Sequence, residues 1–199
     1  MSTSLKYLNQ PVTAFTTRAG AVAPVLQSTV QISEAFDPRS GNPAPIAQPY
    51  IAIWDTGATN TVITSKVVTE LGLKPSGKVR VHGVGPAGSS QEHDSNTYLV
   101  NVFLPNNVGL TWVRVSENAL GEGCDVLIGM DVITTGDLAI TNHNGKTTFS
   151  FRVPSCEEID FVAEIQEHNR LFAGGKPALA SDQQRQLRNK HKAMRKKKR

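Results

Sequence analysis

"AIWDTGATNTVI", residues 52–63, is an apolar run that breaks at an acid, a threonine and a glycine. A strand written in Ala52, Ile53 and Trp54 belongs in an interior, and a carboxylate at its end is costly unless its charge is paired or used. Asp55, Thr56 and Gly57 supply a tight turn in order: the acid, a hydroxyl that fixes the turn, and a residue without a Cβ where two backbones approach closely. The segment predicts a buried strand that aims one carboxylate out of its end. The rest of the sequence has to supply that carboxylate's partner.

On the N-terminal side, "STVQISEAF" (28–36) places Val30, Ile32 and Phe36 on one parity, and "DPRSGNPAP" (37–45) is a turn rich in Pro, Gly, Asn and Asp. "QPYIAIW" (48–54) is then the return strand of a hairpin. The first 25 or so residues keep no period and read as an irregular arm or a short edge strand. On the C-terminal side, "TSKVVTELGL" (64–73) predicts two turns of helix, with a hydroxyl cap at Thr64 or Ser65 and Gly72 as its stop.

A long hairpin follows, with Val79 and Val81 alternating into a Gly- and Ser-rich tip and Tyr98, Val100, Val102 and Leu104 alternating out of it. "LTWVRVSE" (110–117) is a further strand, and "CDVLIGMDVI" (124–133) is an apolar strand that breaks at Gly129. "LAITNHNGKTTFSF" (138–151) is a hairpin whose Asn144-Gly145 pair favours a type I′ turn. Short strands with regular turn signals predict an all-β chain forming a small closed barrel or sandwich. Ile159, Phe161, Val162, Ile165 and Leu171 are close to a helical period and predict a C-terminal helix, docked on the barrel or on a second subunit.

The expected organisation is an N-terminal arm over 1–27, a β domain over 28–155, a helix over 156–174 and a flexible basic tail over 175–199. The chain has 199 residues, 39% of them hydrophobic and 6% aromatic, which suits one modest core. No stretch approaches the roughly 18 apolar residues of a membrane span. With no apolar leader either, the sequence reads as soluble and cytoplasmic. Cys124 and Cys156 lack metal-type spacing and are expected as reduced thiols. The formal charge is +4, but residues 185–199 hold nine of the 21 Lys and Arg and no acid. The first 184 residues set the remaining 12 against all 17 Asp and Glu, so the body is mildly acidic. The tail offers phosphate neutralisation to a nucleic acid, or attraction to an acidic partner, but carries no aromatic residue for base stacking.

With the D-T-G-A turn at Asp55–Ala58, the glycines at Gly83, Gly85 and Gly88, and "VLIGMD" some 70 residues beyond the turn, the chain resembles the retropepsin-like aspartic proteases, the single-domain dimeric branch. The resemblance covers residues 28–153. It implies a closed barrel of the acid-protease type and an aspartic endopeptidase that needs neither metal nor organic cofactor. Asp55 would be the catalytic acid, Thr56 would hydrogen-bond across to the other half of the site, and Gly57 would complete the loop. Substrate would be met by Ala58, Thr59 and Asn60 and, from a flap over Val81–Gly88, by His82, Gly83, Val84 and Gly85. Ile128 is expected to meet substrate as well, in a Leu127–Gly129 stretch that packs behind the loop. Asp131 would cap a short helix.

Two positions depart from the viral pattern. Trp54 replaces an aliphatic residue before the acid, and Thr59 and Asn60 stand where viral enzymes carry acids that bind substrate backbone. No second D-T-G or D-S-G exists in the chain. The resemblance therefore implies a homodimer in which Asp55 faces its own counterpart across a twofold axis. It further implies that chain termini, the arm or the strand 147–153, pair into an interfacial sheet. The alternative from another class is a non-proteolytic dimerisation or peptide-binding module of the same fold, associated with nucleic acid through the tail. His82 and His93 flank the hairpin tip but lack a ligand-spaced cluster, so no metal is expected. Trp54 and Trp112 are both read as core.

Overall fold

The computed structural model describes residues 11–84 and 90–173, with only the backbone described at 82–84, 90, 91 and 173. It divides into two units, 1–157 and 158–199. The first unit holds ten strands: β1 Thr13–Arg18, β2 Leu26–Glu34, β3 Gln48–Trp54, β4 Val62–Ile63, β5 Gly77–Val84, β6 Ser90–Leu104, β7 Val108–Glu117, β8 Val126–Ile128, β9 Asp137–Thr141 and β10 Thr148–Val153. Two short helices, α1 Ser65–Leu71 and α2 Met130–Ile133, lie between them.

Six strands close on themselves in the order β2-β3-β8-β4-β7-β6 and back to β2. Closure is made by β2, which pairs with β3 through Leu26–Ile32 and with β6 through Gln31–Glu34. The closed all-β barrel expected from the sequence is the one that forms, and closure removes the sheet edges that an open sheet would expose. Its interior is filled by alternating residues: Val30 and Ile32 from β2, Val100 and Val102 from β6, Val126 and Ile128 from β8, all fully buried. Each such side chain contributes about 1.5–3 kcal/mol by leaving water. Beyond the ring, β5 continues from β6 as a long antiparallel hairpin, paired from Gly77↔Thr97 to Val84↔Ser90.

A second sheet, in the order β1-β10-β9, carries both ends of the unit. Here the N-terminal segment and the strand near 147–153 pair with each other inside one chain, from Thr13↔Val153 to Arg18↔Thr148. The small sheet is fastened to the barrel by aromatic rings. Trp54 of β3 lies 5.0 Å from Phe151 and 5.8 Å from Phe149, with Phe15 of β1 at 5.7 Å. Each aromatic contact adds about 0.5–1.5 kcal/mol beyond burial, enough to make the sheet part of the same body. This is the work of the bulky residue before Asp55, whose indole N–H donates to Ser28 Oγ at 3.0 Å.

The local signals hold where the chemistry is local. α1 stops at Gly72 with φ 60°, a left-handed cap suited to glycine. Thr64 begins that helix without a side-chain capping bond. Asn144 and Gly145 both take positive φ, as a type I′ pair should, within a longer connection from Thr141 to Thr148. In the second unit, α3 spans Phe161–Ala173. It is capped by Asp160, whose Oδ1 accepts the N–H groups of Val162 and Ala163 at 2.9 and 3.0 Å. The hairpin tip at 85–89 and the basic run 185–199 lie outside the described residues.

Candidate active site

β3 and β8 run parallel, with Trp54 opposite Ile128. The Asp55 N–H adds one more rung by donating to the Ile128 carbonyl at 3.0 Å. That bond fixes where the strand ends and the loop begins. The loop then folds back on its own acid: the Gly57 N–H donates to Asp55 Oδ1 at 2.8 Å, and the Ala58 N–H to the Asp55 carbonyl at 3.3 Å. A Cβ at Gly57 would sit 3.1 Å from Asp55 Oδ1, tighter than ordinary contact, so the glycine keeps the carboxylate in place. Asp55 is partly exposed, while Thr56 and Gly57 are exposed. No other donor reaches the Asp55 carboxylate among the described residues, and the Thr56 hydroxyl has no protein partner there.

A second turn, Gly129–Asp131, braces the loop from behind. The Met130 and Asp131 N–H groups donate to the carbonyls of Ala58 and Thr59 at 2.8 and 3.1 Å. A Cβ at Gly129 would fall 2.6 Å from the Asn60 carbonyl carbon and oxygen, so the two backbones cross where only glycine fits. Thr61, fully buried, is the peg between them. Its hydroxyl accepts the Gly129 N–H at 3.1 Å and donates to Asp131 Oδ1 at 2.7 Å, and its N–H donates to Asp131 Oδ2 at 3.0 Å.

Asp131 also receives the Val132 N–H at 2.9 Å. Its expected place as a helix cap is taken by Gly129, and the carboxylate serves Thr61 instead. Asp125 is likewise occupied, by Lys66 at 3.0 Å and the Ile51 N–H at 3.3 Å. Burial pushes the Cys124 thiol up, which suits packing and not nucleophilic attack.

A cleft of about 960 Å³ opens beside the loop. Gly57, Ala58, Thr59 and Asn60 line one end, Val79 and Val81 of β5 another wall, and Leu127 the floor. The substrate positions expected at Ala58, Thr59 and Asn60 are thus brought together. Ile128 is not: strand parity sends its fully buried side chain into the barrel, and the adjacent Leu127 faces the cleft. The side chains of His82 and Val84, and all of Gly85, lie outside the described residues, and Gly83 is described only as backbone of β5. Among the described residues, no three His, Cys, Asp or Glu side chains are grouped to hold a metal.

The expectation that both tryptophans are core holds for Trp54, 5% exposed, and fails for Trp112, which is 54% exposed and lines the cleft. A bulge is the reason. Val100 pairs with Val113 but Val102 with Leu110, so Thr111 and Trp112 together face Asn101. Trp112 takes φ 60°, a left-handed conformation that costs a bulky residue of order 1–3 kcal/mol. No local sequence signal marks such a position, because the bulge is set by the count across two strands.

Residues 46–132 match the family model for aspartyl protease. Among solved structures, the chain is similar to a retropepsin-like aspartic protease from Rickettsia conorii, with 11% identity over 73% of this chain and 98% of that one and a TM-score of 0.41. It is also similar to EIAV protease complexed with the inhibitor HBY-793, with 17% identity over 55% and 85% of the two chains and a TM-score of 0.37. The retroviral protease-like domain of Ddi1 from Leishmania major gives 16% identity over 68% and 98%, with a TM-score of 0.33. The comparison with curated proteins gives no match.

Proposed function

We propose that the chain, whose residues 46–132 match the aspartyl protease family model, is a retropepsin-like endopeptidase whose active site is completed by a second copy of itself. The observation that carries this reading is the state of Asp55. Its carboxylate is held at a strand end by one backbone donor, with its other oxygen left open among the described residues. One such loop exists per chain, and a single carboxylate cannot both take a proton from water and give one to the scissile carbonyl.

Two Asp55 side chains brought within about 3 Å would share one proton, the known behaviour of aspartic proteases as a class. The ionised partner takes a proton from water as its oxygen attacks the peptide carbonyl carbon, and the protonated partner donates to the carbonyl oxygen. When the tetrahedral intermediate collapses, the C–N bond breaks and the departing nitrogen takes a proton, leaving a carboxylic acid and an amine. In this reading Thr56 reaches across the twofold axis, which accounts for its unpartnered hydroxyl. The β5–β6 hairpin closes as a flap over an extended polypeptide and excludes water. Free Cys124 and Cys156 fit a reducing cytoplasmic setting, and the basic run 185–199 adds a site for an acidic partner or nucleic acid.

The test is cleavage of an unfolded protein across pH 4 to 7 by the native chain and by Asp55→Asn, with mass followed by sedimentation. The expected result is a native dimer that cuts, with a rate that falls as the shared proton is lost at high pH, and a dimeric variant that does not cut. Two dimers, neither of which cuts at any pH, would overturn the protease reading in favour of a binding module.

A further inference from the structure

Trp112 is held in its unfavourable backbone conformation by a complete set of partners. Asn101, itself fully buried, accepts the Trp112 N–H at 3.0 Å and donates its amide to the Phe36 carbonyl at 2.8 Å. The bulge also reverses the facing of β7. Val108 and Leu110 turn inward before it and Val113 and Val115 after it, leaving Trp112 as the side chain that the strand re-aims into the cleft. A packing residue would need none of this.

The charged side chain beside the indole on β7 is cationic: Arg114 stands two residues on from Trp112, on the same face of the strand, and lines the cleft with it. Arg114 is in no ion pair among the described residues. The one carboxylate of the lining, Asp131, is already filled by Thr61 and Val132 and has little left for a cationic ligand.

We propose that this part of the cleft is a specificity site for an acidic side chain of an extended polypeptide. The apolar stem of that side chain lies on the Trp112 indole, and its carboxylate meets Arg114. The inference rests on the reading of the cleft as a polypeptide site and adds the class of residue it selects. Solvent-exposed charge pairs discriminate modestly, so a preference of about fivefold for Glu over Gln is expected, weakening in about 0.5 M salt.

The test uses the full chain carrying Asp55→Asn, so that binding is read without turnover. Capped ten-residue peptides of one β-forming sequence, with Glu, Gln or Lys at each position in turn, are titrated by calorimetry, with intrinsic tryptophan fluorescence followed in parallel in the chains that keep Trp112. The chain has two tryptophans and Trp54 is buried, so a change in the exposed-indole signal reports on Trp112. At one register or more, the Glu peptide should bind tightest and the Lys peptide weakest, and Arg114→Gln should abolish the difference. Trp112→Gly should weaken binding about tenfold while Tm stays level or rises, because glycine accepts the left-handed backbone that tryptophan does not.

Equal affinity for all three peptides, no binding of any, or a Trp112→Gly chain that keeps its affinity would each overturn the proposal. So would a Trp112→Gly chain that loses Tm as a core truncation does. A native chain that cuts unfolded protein without Glu preference defeats this inference alone. A native chain that selects the Glu peptide yet cuts nothing defeats the protease reading alone.

Discussion

Asp55 follows β3 directly and Asp131 lies three residues beyond β8, so two acids stand past the ends of neighbouring parallel strands, and the protein treats them in opposite ways. Asp131 receives three hydrogen bonds, two from Thr61 and one from Val132. Asp55 receives one described bond, from the glycine two residues on, and is partly exposed. An oxygen already filled by fixed donors cannot take a proton from water without breaking them, whereas an open one can. The pair shows that placement near a cleft does not make an acid chemical. What matters is how many of its lone pairs the fold has already used.

The largest expected effect breaks the open member. Asp55→Asn keeps an acceptor for the Gly57 N–H and removes the proton chemistry, so proteolysis should fall by about 10²–10⁴-fold or more with Tm nearly unchanged. Initial rates on an unfolded substrate, set beside a thermal melt, check both halves. A variant that unfolds would show that Asp55 is structural after all.

The filled member should respond the other way. Asp131→Ala leaves the buried Thr61 N–H and hydroxyl without their acceptor, at about 2–4 kcal/mol of stability by denaturant melting. Activity should fall only as far as the loop at 58–61 loosens. Full stability with no activity would mean that Asp131 takes part in the chemistry, and the contrast between the two acids would collapse.

Gly129→Ala sharpens the comparison by disturbing both loops at once. Its Cβ would press on the Asn60 and Ala58 backbone, so about 1–3 kcal/mol should be lost, with a smaller drop in rate than Asp55→Asn gives. Unchanged Tm would mean that the crossing relaxes freely.

The open acid was legible in the sequence and the filled one was not, for a physical reason. Asp55, Thr56 and Gly57 are adjacent, and the apolar strand before them has the bounds Gln48–Trp54 that its pattern announces. The stop of α1 at Gly72 is local in the same way. The Thr61–Asp131 clamp joins residues 70 apart through side chains that make no pattern along the chain. Ile128 and Trp112 went astray for a related reason, since facing depends on parity and on a bulge counted across two strands. Trp54 marked a departure from the viral motif, and its meaning emerges only with Phe15, Phe149 and Phe151 around it.

Asp137, the first residue of β9, extends the contrast to a third acid. Its carboxylate accepts Arg152 Nε at 2.6 Å, the Cys156 N–H at 2.8 Å and the Ser155 hydroxyl, which makes it a filled acid that pins the chain beyond β10. Burial alone would push this carboxyl up, but the Ser155, Cys156 and Arg152 donors outweigh it and hold the group below its ordinary value of 3.8. A folded-state value below the unfolded one gives stabilisation that is whole above the ordinary carboxylate range and is lost as pH falls through the folded value. Asp137→Asn should therefore cost about 1 kcal/mol near neutral pH, with a Tm gap to the native chain that stays constant down to about pH 5 and closes below about pH 4. A gap that persists undiminished in acid would assign the loss to packing around Arg152, and filled lone pairs would no longer be what separates the structural acids from Asp55.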